Sequence, residues 1–247
     1  MSGRNDCEVA IVGGGVAGRS AGIFTARHDL KTTIFNADSP LLRRNAHLEN
    51  YPGFPAGVNS RLLLDMMGDQ AEWAGCEFRE AEVTLVSKAA DGGFAIETAS
   101  GQVWGSEYVI AASKNTTGYL AEIEGVGIVE RGKKFVDTEG QGRTGVDGLY
   151  AAGRIAEKPH QAVVIAGHGA EVAVTLLEDD GRSFYHDWVT PDRYFTGRGR
   201  DLPPGCEEIG EEERHRRERE SLQVMREYFE KPHPDLPEQH PSVAEDG

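Results

Sequence analysis

The residues best placed to do chemistry begin at a glycine cluster. Gly13-x-Gly15-x-x-Gly18 follows a short apolar run, Glu8 to Val12, and opens a stretch of helical spacing, Val16 to His28. In that context Gly13 permits the tight turn and Gly15 lets a pyrophosphate approach the backbone. Gly18 lets the helix pack on the strand, and the helix N-terminus faces the phosphate charge. The alternative is a glycine-rich turn with no ligand. A second strand, Lys31 to Phe35, completes a β-α-β unit, and its end is where a ribose-binding acid belongs. Asn36 stands there, with Asp38 two residues on, as ribose contacts or as plain turn residues. Downstream lies Arg43-Arg44-Asn45-Ala46-His47, whose guanidiniums suit bidentate phosphate binding or simply make a basic loop. His47 and His160 are the weak candidates for proton relay near neutral pH, against a role as satisfied polar residues. No catalytic residue is fixed by spacing, and no metal-ligand spacing occurs.

Three further blocks carry a resemblance. Glu49-Asn50-Tyr51-Pro52-Gly53-Phe54-Pro55 resembles the Glu-Asn-aromatic-Pro-Gly segment of the low-molecular-weight thioredoxin reductase family. Gly148-Leu149-Tyr150-Ala151-Ala152-Gly153 resembles that family's second FAD signature, Gly-Val-Phe-Ala-Ala-Gly-Asp. His160-Gln161-Ala162-Val163 resembles its Arg-Gln-Ala-Val, and Ala166-Gly167-His168-Gly169-Ala170 its Ala-Gly-Asp-Gly. The similarity runs from residue 5 to about 113 and from 135 to 178, in the family's order.

The resemblance implies FAD as cofactor. It places Asn50 beside the flavin, the Val83 backbone at the adenine and Ala112-Ser113 where the family closes the site with Thr-Gly. Gly153, Arg154 and Gln161 would cap the ribityl chain and ring. The helix from Gln161-Ala162 would aim its positive end at the flavin pyrimidine, favouring the anionic reduced form. The Arg43-Arg44-Asn45…His47 stretch, which replaces the family's Gly-Gly-Gln, is similar to a bacterial branch of related FAD-dependent oxidoreductases.

Departures from the family bound the function. Only about 20 residues separate Ala112 from the strand near Phe135, where the family inserts an NADPH domain with its own glycine turn. The three cysteines, Cys7, Cys76 and Cys206, form no Cys-x-x-Cys. On this reading the chain does not reduce thioredoxin by the family's mechanism. Arg154 stands where the family has a ribityl-binding Asp, and arginine accepts no hydrogen bond.

These residues need elements to hold them. The pattern predicts an α/β fold of the FAD-binding Rossmann type: a parallel sheet with helices on both faces, a small antiparallel insert and a C-terminal arm. A helix is expected over Arg61 to Gly75, with strands at Glu80 to Val86, Phe94 to Thr98, Gln102 to Trp104, Tyr108 to Ala112 and Leu149 to Ala152. A long helix, Gln161 to Glu178, follows. One domain is expected over 5–180 and an arm over 181–247, with a charged helix at about 207–231 and a loose end after Pro232. Seven of the 11 prolines fall after residue 190, and Phe184, Tyr185, Trp188, Tyr194 and Phe195 crowd the arm's start, so this part is expected to pack, in one version against a partner subunit.

Composition excludes other classes. The 247 residues are 38% hydrophobic and 27% charged, as in a globular protein with a core. Absence of an 18-residue apolar run argues against a membrane span, and the first residues carry no secretory signal pattern, so a reducing cytoplasm is expected. Acids outnumber bases 41 to 26, and a net charge of −15 disfavours nucleic acid and anionic lipid. Such acidity suits a halophile's high-salt cytoplasm or an ordinary acidic protein. The leading expectation is therefore an FAD-dependent oxidoreductase, dimeric like its family, whose electrons come from a protein such as a ferredoxin or a transient nicotinamide cofactor. The alternatives are a non-catalytic dinucleotide-binding or regulatory module, and a single-domain biosynthetic enzyme similar to the thiazole synthases, which use NAD as a substrate.

Overall fold

A computed structural model describes residues 5–37, 39–182 and 187–244. β1 (Asn5–Val12), α1 (Val16–Arg27) and β2 (Thr32–Phe35) form the expected β-α-β unit, with β1 and β2 parallel and Val12 opposite Phe35. A short 3-10 turn, Leu41–Arg44, precedes α2 (Ser60–Ala74). The Asn59 side chain caps α2 by accepting from the N–H groups of Arg61 and Leu62, and Gly75 at φ 109° ends it. β3 (Glu77–Arg79), β4 (Val83–Lys88), β5 (Phe94–Thr98) and β6 (Val103–Ala111) follow. A hairpin of β7 (Ile128–Glu130) and β8 (Lys134–Val136) precedes β9 (Leu149–Ala151) and α3 (Ala162–Asp179).

The main sheet runs β3-β2-β1-β6-β5-β4, with β9 also paired to β6. The parallel strands are β3, β2, β1, β6 and β9, and β4 and β5 form the antiparallel part. Two differences from the sequence reading share one cause. Gln102 to Trp104 and Tyr108 to Ala112 are one strand, because β6 pairs antiparallel with β5 through Val103–Ser106 and parallel with β9 through Val109–Ala111. Of the expected strand at Glu80 to Val86, only Val83 to Val86 is strand, the start of β4, and residues 80–82 are the link from β3. Those strands lie at opposite edges of the path, yet only residues 80–82 join them. Five strand spacings of about 4.8 Å exceed the roughly 14 Å that such a link spans, so the antiparallel strands curl back over the parallel ones.

Each face has its own core. On one side α1 lies so close to the sheet that a Cβ on Gly22 would stand 2.8 Å from Ile34 and 3.0 Å from Cys76. Val16, Leu63, Leu64, Met67 and Ala166 knit α1, α2 and α3 together there. The other side, with Ala10, Val12, Phe35, Val109 and Ala111, is covered by Val86, Phe94 and Ile96 of the curled strands and by Tyr119, Leu120 and Ile123. Phe35 meets Trp104 edge to face at 5.6 Å.

The chain divides into two compact units, residues 1–176 with 235–247, and residues 177–234. In the second, β10 (Trp188–Pro191) and β11 (Cys206–Ile209) pair in parallel, and α4 (Glu211–Phe229) follows. The charged helix thus starts at Glu211, since 206–209 is strand and Gly210 is the N-cap. Trp188, Tyr194 and Phe195 satisfy one another as a ring trio with centroids 5.0–6.0 Å apart, and Arg198 lies over Tyr194 at 4.3 Å. Phe184 and Tyr185 lie outside the described residues. The Glu208 carboxylate ties the adjoining turn by accepting from the N–H groups of Arg193, Phe195 and Thr196. Along α4, Glu213 bonds Arg216 and then Arg217, which holds its carboxyl down at about 2.

Candidate functional site

The glycine turn is built by contacts that leave no room for side chains, except where a ligand would come. Gly13 adopts φ 120°, and a Cβ there would stand 2.7 Å from the Ala112 carbonyl at the end of β6. At Gly18 a Cβ would meet the Gly13 carbonyl at 2.0 Å, so that glycine lets α1 press on the turn. Gly15, by contrast, has nothing within 4 Å on its Cβ side. It is the N-cap of α1 and makes no side-chain cap bond, so the first N–H groups of the helix face the open side. Arg19 braces the turn, its Nε donating to the Gly14 carbonyl at 2.8 Å.

Beside the turn opens a cleft of about 1100 Å³, just above the usual range for ligand pockets. Asn36 lines it, and its side chain lies where a Cβ on Gly14 would be, only 2.6 Å from Asn36 Oδ1. Gly14 is thus as constrained as its neighbours, although the Gly-x-Gly pattern does not single it out. Buried Val83, at the start of β4, lines the same wall. Asp38 lies outside the described residues.

The loop after β2 supplies the next wall. Arg44, Asn45, His47 and Asn50 line the cleft, but Arg43 does not. Within the 3-10 turn, neighbouring side chains point about 120° apart. Arg43 is drawn to carboxylates elsewhere: Asp235 at 3.0 Å, Glu238 at 3.7 Å and Asp65 at 3.8 Å. The Glu238 N–H also donates to the Arg43 carbonyl at 3.1 Å, so the chain beyond Pro232, expected to be loose, is anchored here. Buried Arg61 holds the loop from beneath, donating to the carbonyls of Asn45 at 2.6 Å and Ala46 at 3.3 Å. Sequence reasoning missed Arg61, which reads as one more polar residue at a helix start. His47 Nδ1 bonds the Glu49 carboxylate at 2.8 Å.

The last wall is the entry to α3. Asn50 Nδ2 donates to Gln161 Oε1 at 2.8 Å, joining the loop to the helix start, and Gln161 and Ala162 both line the cleft. Gly153 does not. It stands behind the wall at φ 74°, where a Cβ would meet Ala17 at 2.7 Å, and its N–H donates to Nδ1 of buried His168 at 2.9 Å. Burial, then Lys158, pushes His168 down to about 4. The Arg154 guanidinium lies over Phe135 at 5.3 Å and lines the cleft with His160. Partial burial, then Arg154, Lys114 and Lys133, holds His160 below the ordinary histidine value. Lys114, another residue the sequence did not flag, follows Ala112 and Ser113 on the same wall.

The structure therefore brings Gly13, Gly15, Asn36, Arg44, Asn45, Asn50, Val83, Ala112, Arg154, Gln161 and Ala162 to one cleft, with His47 and His160. Gly18 and Gly153 shape it from behind, and Arg43 faces away. No protein-family model matches the chain. It is 28% identical over 199 residues to the thioredoxin reductase of Rickettsia felis, covering 76% of this chain and 60% of that protein. It is 35% identical over 115 residues to the bifunctional thioredoxin reductase/thioredoxin of Mycobacterium leprae, covering 46% and 25%. In sequence the chain is similar to thioredoxin reductases.

It spans 60% or less of the length of these two relatives. Among solved structures, a thioredoxin reductase from Gloeobacter violaceus aligns with TM-score 0.63 at 18% identity, over 74% of this chain and 99% of that one. The fold is the thioredoxin-reductase-like α/β Rossmann type that the residue blocks implied.

Proposed function

We propose that this chain binds FAD in the cleft and works as a flavin-dependent oxidoreductase whose electrons reach an acceptor other than thioredoxin. One observation carries the reading: the open side of Gly15, the bare N-terminus of α1 and the Asn50–Gln161 bridge at α3 lie along a single cleft. The residues present fit the cofactor. A diphosphate would meet the N–H groups at the start of α1 and the guanidinium of Arg44, and a ribose would meet Asn36. The ring would lie by Asn50 and the positive end of α3. Bound FAD supplies the hydride and electron chemistry, and the chain supplies site and field. Glu49 fixes the proton of His47 on Nδ1, leaving Nε2 to accept or hold a proton at the cleft wall.

The missing Cys-x-x-Cys and the short 113–134 connection support an electron donor that arrives from outside, either a nicotinamide cofactor or a carrier protein. The chain acts in the cytoplasm as a homodimer and tolerates high salt. Among the described residues no helix is long and apolar enough to cross a membrane. The test is the visible spectrum after incubation with FAD and removal of the excess. Stoichiometric flavin bands, bleached by a nicotinamide cofactor or a reduced carrier, support the reading. A folded, colourless protein overturns it. Arg154, in place of the family's Asp, favours one second reading, a dinucleotide-binding module without redox chemistry. That protein would take up adenine nucleotides but no FAD.

A further inference from the structure

Positive charge gathers on one side of the cleft, and among the described residues no acid pairs with it. Arg44, Lys114 and Arg154 line the wall, and Lys133 sits on the turn of the β7–β8 hairpin, which Asn115, the neighbour of Lys114, ties to the same rim by donating from Nδ2 to the Lys134 carbonyl at 3.2 Å. Among the described residues none of these four cations is ion-paired. Glu157, three residues after Arg154, is committed to Arg131 at 3.5 Å. The cleft's own carboxylates lie elsewhere, Glu49 against His47 and Glu82 beside Val83. Like charges held together in an acidic chain raise the free energy of the empty site, and an anion relieves that cost.

The cofactor's diphosphate does not account for all of them. Its place is the glycine turn, where helix N–H groups and Arg44 already answer two negative charges. Lys133 is not on the cleft wall, so an anion that engages it must project from the mouth. We propose that Lys114, Lys133, Arg154 and His160 form a second anion site at the mouth, which takes the phosphate group of a small molecule that meets the flavin. Arginine's planar fork with two lysine point charges suits the three oxygens of a doubly charged phosphate. The inference rests on the flavin reading for its function, but not for its chemistry.

The experiment uses the full chain loaded with FAD, inorganic pyrophosphate as probe, and the double reversal Lys114→Glu with Lys133→Glu. Both lysines are exposed, so the fold tolerates the change. At constant ionic strength, wild type is expected to bind pyrophosphate by calorimetry, and the variant to bind it at least about tenfold more weakly with FAD affinity kept. NADPH and NADH run in parallel separate a nucleotide's extra phosphate from any phosphate. Absence of binding to the loaded wild type overturns the proposal, as does equal binding by the variant. Loss of FAD itself from the variant also overturns it, because the lysines would then serve the cofactor. If wild type takes up no FAD, the flavin reading fails alone: pyrophosphate bound by the chain and lost in the variant keeps the anion site, and no binding sinks both.

Discussion

Acid should weaken this fold through one buried ring. His168 Nδ1 accepts the Gly153 N–H at 2.9 Å, and the ring is 4% exposed, so it is held neutral with its proton on Nε2. Its pKa falls to about 4 in the folded chain, against about 6.5 unfolded. Between those values the unfolded chain binds a proton that the folded chain refuses, so stability drops as pH falls. The full effect is about 3 kcal/mol, of which about 2 kcal/mol is lost between pH 7 and pH 5. His168→Asn keeps an acceptor for Gly153 but does not titrate. Its poorer helix propensity costs a constant amount at every pH. Denaturant unfolding of both proteins at pH 7, 6 and 5 gives the difference directly, because every other titrating group cancels. Wild type should lose about 2 kcal/mol relative to the variant over that range. A difference that stays flat would show that folding does not hold the His168 pKa down, and the reasoning would be refuted.

Other perturbations separate the cleft wall from what lies behind it. Gly15→Ala should fold normally, since nothing stands within 4 Å of the added carbon, yet lower FAD affinity about tenfold by blocking the diphosphate. Gly18→Ala should instead melt several degrees lower, because the methyl would drive into the Gly13 carbonyl. Arg43→Ala should leave FAD affinity within about twofold while exposing residues 235–238 to protease, whereas Arg44→Ala should cost about tenfold in affinity. Of three thiols, Cys206 should react with an aromatic disulfide in the native protein. Cys7 and Cys76 should react only in denaturant, since both are buried and burial raises Cys76 to about 12.

The parts of the fold legible in sequence are those written locally. β1, the glycine turn, α1 and β2 follow from an apolar run, three glycines and a change of period within about 30 residues. The entry to α3 was legible only through resemblance, because Gln161 and Ala162 carry no chemistry of their own. What stayed hidden depends on partners distant in sequence. Arg43 and Arg44 are the same residue type, and only Asp65, Asp235 and Glu238 decide which of them turns from the cleft. Gln102 to Trp104 and Tyr108 to Ala112 read as two strands, but pairing to β5 on one half and β9 on the other holds them together as β6. His168 reads as a helix residue until Gly153 arrives against it. Lys114 and Lys133 gain meaning only because a strand end and a hairpin meet at one rim.

The charge pattern then bears on salt. Among the described residues, Arg214, Arg216 and Arg217 of α4 are matched to Glu207, Glu213, Glu218 and Glu220, Arg79 to Glu77, and Arg43 to three acids. These pairs are at least a quarter exposed, so each contributes little and less as salt rises. The screening length shrinks from about 8 Å at physiological ionic strength to about 3 Å at molar salt. The net charge of −15 then ceases to strain the fold, but the tether of residues 235–238 to Arg43 loosens as well. A diphosphate bound in the cleft would touch the Arg44 guanidinium directly and exclude the ions that would screen it. Salt should therefore separate two functions of adjacent residues, weakening the hold of Arg43 on the tail before the hold of Arg44 on a bound diphosphate.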